Sequence, residues 1–202
     1  MRTILIFLVT LFSSTLLLAQ EKYMYLNLDI NKPLSNPDWI QDISAVGAKL
    51  GYRVFIRPNF SMGLDVGWTN LDQYEPMSTI ENPTGAITTD YFRYIYSYNA
   101  VVSGQYYFKN QEQERFFPYA GLGLGANTNE YVLYYNIYTD TERSWGFLAR
   151  PEAGILYRFT KRGTVGAMAA VHYDFATNKS DKFNYNNFSA LGFQFGLIIM
   201  TF

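Results

Sequence analysis

The residues best equipped for chemistry are His172 and Asp174, an imidazole and a carboxyl two positions apart, with Arg150 and Glu152 repeating the same spacing upstream. A His–carboxylate pair can do acid–base work, but it needs a positioned nucleophile or a substrate proton within hydrogen-bond reach. His172 is the only histidine, and no positioned nucleophile accompanies it. Metal binding fares worse. With no cysteine and no second histidine, scattered carboxylates are the only ligands left. Gly121, Gly123 and Gly125 alternate with apolar residues and are followed by no helix, so they are no phosphate loop. The expectation is therefore no catalytic residue, no bound metal and no cofactor, with His172 hydrogen-bonded inside a polar interior.

The stretch that must position these groups is residues 145–159, WGFLARPEAGILYRF. Read in steps of two, Trp145, Phe147, Ala149, Pro151, Ala153, Ile155, Tyr157 and Phe159 fall on one face, and Gly146, Leu148, Arg150, Glu152, Gly154, Leu156 and Arg158 on the other. Period 2 marks a β-strand. One face is bulky and aromatic while the other mixes charge with glycine, as suits a closed barrel that is apolar toward lipid and polar toward its lumen.

Composition agrees. The chain has 202 residues, 18% aromatic content, no cysteine and a net charge of -1. It fits one domain, has no disulfide or thiolate chemistry, and carries no basic stripe for nucleic acid. Residues 1–20 combine Arg2, the apolar run Ile4 to Phe12 and a tract ending at Ala19. They predict a secretory signal cleaved after Ala19 or Gln20, leaving 21–202 as the barrel domain. The apolar run is shorter than the roughly 20 residues of a spanning helix. A mature chain that enters a membrane must then do so as a barrel.

Alternation predicts strands near 23–31, 43–56, 60–70, 91–108, 117–135, 144–160, 164–176 and 188–201. Long and short connections alternate between them, and 71–90 is the longest. The fold class is thus an all-β, eight-stranded antiparallel up-and-down transmembrane barrel with short turns at one end and longer loops at the other. Of the charged residues on these stretches, Asp29, Lys49, Arg53, Asp65, Arg93, Arg150, Glu152, Arg158 and Asp174 all have lumen parity, as does His172; Glu130 alone does not. A basic residue facing lipid at the midplane costs about 2–4 kcal/mol, which explains the bias. Trp68, Phe92, Tyr94, Trp145 and Tyr173 at the loop side, and Tyr52, Tyr106, Phe108, Tyr157 and Phe159 at the turn side, form two outward aromatic girdles.

The runs FPYAGLGLGAN (117–127), RPEAGILYRF (150–159) and GFQFGLIIMTF (192–202) resemble small eight-stranded outer-membrane barrels of the OmpA, OmpX and OmpW kind. The resemblance implies a Gram-negative-type outer membrane with both termini periplasmic. It also implies a last strand read by barrel-assembly machinery, outer-membrane lipid as surroundings, and a monomer. Two functional expectations follow. In the first, a non-enzymatic barrel has its lumen plugged by polar and charged side chains and serves envelope integrity or surface interaction through its loops. In the alternative, the barrel binds or transports a small apolar molecule that arrives at the loop side beside Tyr131, Tyr134 and Tyr135. A lipid-acting enzyme needs a histidine facing the bilayer, and His172 faces the lumen.

Turn chemistry sets register. Arg57-Pro58-Asn59, read as a three-residue hairpin loop with Asn59 left-handed, places Asp65 opposite Gly51, within reach of Lys49 and Arg53. Lys161-Arg162-Gly163, read likewise, places Glu152 opposite His172 and Arg150 opposite Asp174 as two charge pairs. In that hairpin, even-numbered residues of 144–160 exchange hydrogen bonds with the following strand. Pro151, which has no donor, should then disturb the ladder toward 117–135.

Overall fold

A computed structural model describes residues 21–82, 85–108, 115–160 and 163–201. Residues 1–20, read from the sequence as a signal, and Lys161, Arg162 and Phe202 lie outside the described residues. Eight strands, β1 (Lys22–Pro33), β2 (Val46–Arg57), β3 (Phe60–Asn82), β4 (Gly85–Tyr107), β5 (Phe116–Tyr135), β6 (Tyr138–Arg158), β7 (Val165–Ala176) and β8 (Phe188–Thr201), pair antiparallel in chain order. β1 pairs with β8 from Lys22↔Thr201 to Pro33↔Ala190 and closes the ring. Closure leaves no edge in the lipid zone, where unpaired backbone groups would find no water.

The predicted parity holds along the barrel wall. In β1, Met24, Leu26 and Leu28 are exposed while Tyr25, Asn27 and Asp29 are buried; in β8, Leu191, Phe193, Phe195, Leu197 and Ile199 are exposed while Gln194 and Ile198 are buried. The aromatic residues assigned to the two girdles all lie on the outward face; toward the loop end Trp68 faces Tyr98 in register, and Trp145 continues that row beyond Thr128.

Three sequence expectations need correction. Residues 71–90 are no loop: β3 runs to Asn82 and β4 starts at Gly85, paired to the tip as Asn82↔Gly85 with a bulge between Glu75 and Ser78. The β-branched and aromatic residues of MSTIEN and GAITTDY favour strand. Their alternation fails because lipid no longer demands an apolar face there. The 136–143 segment behaves the same way: Tyr135 pairs with Tyr138 across Asn136–Ile137, with Asn136 left-handed at φ 51°.

At the β2–β3 turn, Arg57 pairs with Phe60 across Pro58–Asn59, and Asn59 is not among the residues with positive φ. The extra residue is taken up as a bulge between Phe55 and Arg57, so Gly51 still faces Asp65 as read from the sequence. A two-residue turn led by a proline, whose φ is already set for it, replaces the left-handed asparagine.

Pro151 breaks the ladder on the side opposite to the expected one. Its pairing with β5 is regular (Leu122↔Pro151), whereas the β6–β7 register skips from Ala149↔Phe175 to Glu152↔His172. Odd-numbered residues of this region face β7, since Phe159 N donates to Val165 O and Thr177 N to Phe147 O, while the Arg158 amide donates to Arg115 O on the β5 side. The donor missing at Pro151 is therefore a β7 donor.

Beyond Glu75↔Tyr91 the β3–β4 hairpin pairs only with itself. Replacing residues 77–88 by a short turn should leave the barrel's unfolding free energy in urea within about 0.5 kcal/mol of the parent, with the same heat-dependent shift on a gel; a clear loss of stability would mean that the arm helps hold the barrel together.

Candidate functional site

The inward side chains stack in tiers. At the end where β1 starts and β8 finishes, Tyr23, Phe55, Tyr107, Phe117, Tyr119, Leu156, Met168, Ile198 and Met200 form a buried, largely aromatic floor. Tyr23 Oη donates to Gln105 Oε1 (2.8 Å) and lies 2.7 Å from Tyr107 Oη. Arg158, the inward cation of β6 at this end, lies over the Phe117 ring (5.0 Å) and reaches Glu21 Oε2 at 3.4 Å. Its apolar stem and stacked head let a charge sit beside a floor of rings.

Above the floor lies a waist of charge. Arg53 Nη2 meets Asp65 Oδ2 at 2.8 Å, and Tyr25 Oη and Ser103 Oγ donate to the same carboxylate. Lys49 Nζ lies 3.2 Å from Asp29 Oδ2, and Asn31 Nδ2 donates to that oxygen at 2.8 Å. Arg150 grips Asp174 with both edges, Nε to Oδ1 at 2.5 Å and Nη2 to Oδ2 at 2.7 Å. A bidentate guanidinium–carboxylate contact of this kind is both strong and geometrically selective.

One sequence-derived pairing differs. Glu152 faces His172 in register, yet His172 Nε2 lies 3.0 Å from Asp29 Oδ1 on β1, two strands away. Gly192 on the intervening β8 makes this possible, because a Cβ there would collide with the His172 ring. A carboxylate accepts only, so the proton of this contact sits on Nε2 and a neutral imidazole suffices. Glu152 instead accepts from Gln105 and from Gln194 Nε2 (3.0 Å), with Arg53 at 3.8 Å. The expectation that Asp65 would bridge Lys49 or Arg53 is met by Arg53, while Lys49 turns to Asp29.

Arg93 is not part of the waist. It sits at the loop end, where Nη1 donates to the carbonyls of Asp38 (2.8 Å) and Trp39 (3.3 Å), with Glu75 Oε2 at 3.8 Å. The structure thus joins Asp29, Lys49, Arg53, Asp65, Arg150, Glu152, His172 and Asp174 and leaves Arg93 apart. Neutral partners were missed by a reading that followed charge. Tyr25, Gln105 and Gln194 were legible by parity; Asn178, which donates to Ser144 O (2.8 Å) and Asn127 O (3.3 Å) from beyond β7, was not.

Between waist and mouth, Ser97, Asn127, Asn129 and Asn178 form an amide tier. The mouth itself is apolar: Ile40, Leu71, Ile95, Tyr131, Leu148, Phe183, Tyr185 and Phe188 cluster there, with Trp39 packed against them. Among the described residues, no group of three or more His, Asp or Glu side chains is arranged to hold a metal ion.

A closed ring of eight strands with an apolar outer wall and this inward polarity has counterparts among known proteins. A family model described as "Outer membrane protein beta-barrel domain" matches residues 4–197. The chain belongs to that family. A search of curated protein sequences returns no significant match. Solved structures of similar fold include Neisserial surface protein A, 16% identical with a TM-score of 0.57 over 88% of this chain and 96% of that one. Ail of Yersinia pestis is 10% identical with a TM-score of 0.56 over 91% and 100%. OprG of Pseudomonas aeruginosa is 12% identical with a TM-score of 0.54 over 91% and 96%. At such identities the likeness is one of fold.

Asp29 holds Lys49, His172 and Asn31 at once, so Asp29→Ala should strand a buried ammonium and cost about 3–5 kcal/mol. Adding Lys49→Met should recover most of that loss in urea unfolding; equal loss in the single and double variants would show that the charge was never the problem.

Proposed function

We propose that this outer-membrane protein is a non-enzymatic, monomeric barrel whose lumen is plugged by its own side chains, and that it serves envelope integrity or surface interaction. In this reading the termini and short turns face the periplasm, and the long hairpins of β3–β4 and β5–β6 stand outside the cell. The last strand is what the barrel-assembly machinery reads, outer-membrane lipid is the only obligatory neighbour, and nucleic acid is no partner. The observation that carries the reading is the waist, where three cations and four carboxylates on β1, β2, β3, β6 and β7 contact one another or inward amides and hydroxyls. Eight strands leave an interior just wide enough for side chains to fill. A group so paired has little freedom to swing aside for a solute.

Support for a surface role comes from the hairpin end, where Asp38, Asp42, Asp72, Glu75, Asp90, Glu130, Asp140, Glu142 and Asp181 outnumber Lys32, Arg93, Arg143, Lys179 and Lys182. Ail is a barrel of the same fold solved with the heparin analogue sucrose octasulfate. An acidic crown would repel such a polyanion, so a surface partner here is neutral or cationic. In the alternative reading, passage of a small apolar molecule would have to part Tyr131 from Phe183 and Tyr185, whose ring centroids lie 6.2 and 4.7 Å from its own.

Reconstituted in planar bilayers, the protein should carry no sustained single-channel current; a steady open level would overturn the plugged lumen. Arg150→Ala should lose about 3–5 kcal/mol in detergent, against a change within about 0.5 kcal/mol for Lys179→Ala at the surface. Unchanged stability with a lost binding or uptake activity would turn the waist into a ligand site.

A further inference from the structure

The mouth is roofed by two connections, residues 34–45 between β1 and β2 and residues 177–187 between β7 and β8. Trp39 from the first packs on Phe183 from the second, with ring centroids 4.6 Å apart, and Asn36 Nδ2 donates to Phe183 O at 3.0 Å. Arg93 clamps the first connection through the two carbonyls already described and lies under the Trp39 ring at 5.3 Å. Tyr185 closes a small turn in the second, bridged to Ser180, with Asn184 left-handed at φ 56°. The roof is tied to the wall at its ends, through the Asn31↔Ser44 bridge, Leu34 N to Ser189 O (2.9 Å) and Thr177 N to Phe147 O (2.9 Å), while Trp39, Phe183 and Tyr185 lie between those ties.

Among the described residues, three buried polar atoms at this mouth have no hydrogen-bond partner: Trp39 Nε1 and Tyr185 Oη in the roof and Arg93 Nε on β4 beneath it. All three are donors, and two of them, an indole N–H and a guanidinium N–H, can be nothing else. Tyr185 is 2% exposed. Burial pushes its phenol up, Tyr131 adds to the rise and the nearby Arg93 opposes it, so the hydroxyl keeps its proton. Buried donors normally find acceptors, and a cluster of unmet ones calls for an explanation. Around them the mouth offers rings and aliphatic side chains: Trp39, Phe183, Tyr131, Ile40 and Ile95. Among the described residues, Glu75 is the one carboxylate paired with Arg93, and its Oε2 lies 3.8 Å from Nη1.

We propose that the mouth beneath the Trp39–Phe183 roof is a binding site for a small monocarboxylate with an apolar, preferably aromatic, body. The carboxylate accepts from Arg93 Nε, Trp39 Nε1 and Tyr185 Oη, and the body lies among the rings. The site lies above the charged waist and does not depend on whether the lumen conducts.

The test uses the full barrel in lipid nanodiscs, with phenylacetate as the probe and calorimetry as the readout. Phenylacetate should bind saturably. Phenylacetamide, equal in shape but uncharged, should bind at least about tenfold more weakly, and acetate, which has a head but no body, should give no measurable heat. Tyr185→Phe removes only a hydroxyl that has no partner, so it should leave the urea midpoint of the probe-free barrel unchanged or higher while weakening phenylacetate about fivefold or more. Arg93→Gln should weaken it further, with the heat shift on a gel checking that the barrel has folded. Equal binding of phenylacetate and phenylacetamide, no saturable binding of phenylacetate, or full affinity in a folded Tyr185→Phe barrel would each overturn the site and leave ordered water as the acceptor of these donors.

Discussion

Hydrocarbon offers no hydrogen-bond partner, and everything in this barrel follows from that. The backbone must close on itself, which the β1–β8 ladder does, and the outer wall must be apolar, which the alternating Leu, Phe and Ala residues of β5 to β8 provide. Polar side chains on the same strands are thereby sent inward. Inside, water is scarce and the far wall is close, so the partners available to an inward charge are other inward groups. A lone buried charge would cost several kcal/mol, whereas a paired and hydrogen-bonded one is tolerated. The waist is the outcome: Asp29, Asp65, Glu152 and Asp174 each lie against a cation or a donor from another strand.

Such pairing needs space, which the inward glycines supply. Gly51 makes room for Tyr25 and the Asp65 carboxylate, Gly67 for Asn99, and Gly192 for His172. Each lies opposite or next to a long polar side chain, and a Cβ at any of them would meet that side chain at less than contact distance. The charge network and the glycine pattern are two halves of one packing solution. Long inward residues on one strand are matched by missing side chains on its neighbour.

This explains what could be read from the sequence and what could not. Which face each charge takes was legible, because period 2 ties parity to burial wherever lipid enforces it. Register was legible where turns were short: Glu152↔His172 follows from counting back from a hairpin, and Gly51↔Asp65 holds because the Phe55–Arg57 bulge offsets a turn one residue shorter than the one read from the sequence. The choice of partner was not. Cross-strand counting finds neighbours on adjacent strands, and His172 passes over β8 to reach Asp29 on β1. The hydrogen-bonding side of Pro151 was misjudged by one residue, since parity fixes faces but not which neighbour receives an amide. Residues 71–90 were misread for the opposite reason. Above the bilayer nothing enforces an apolar face, so a long hairpin loses the alternation by which strands are recognised.

Unpartnered buried atoms occur in both the waist and the mouth, but they have different surroundings. Lys49 Nζ and Arg53 Nε and Nη1 lack a well-shaped hydrogen bond. Yet Lys49 has Asp29 at 3.2 Å and Arg53 has Asp65 at 2.8 Å, so their charge is compensated even where their geometry is imperfect. They are also held on strands paired on both sides, which gives them no alternative state. The mouth's unmet donors sit partly on connections and face aromatic carbon, with no carboxylate bonded to them. The wall that carries the waist is fixed by closure, and the roof that carries Trp39 and Tyr185 is not. A fixed wall can keep an imperfect contact because nothing competes for it. A loop roof that folds donors away from water without an acceptor is where a bound acceptor would change the balance most, and the mouth differs from the waist in that respect.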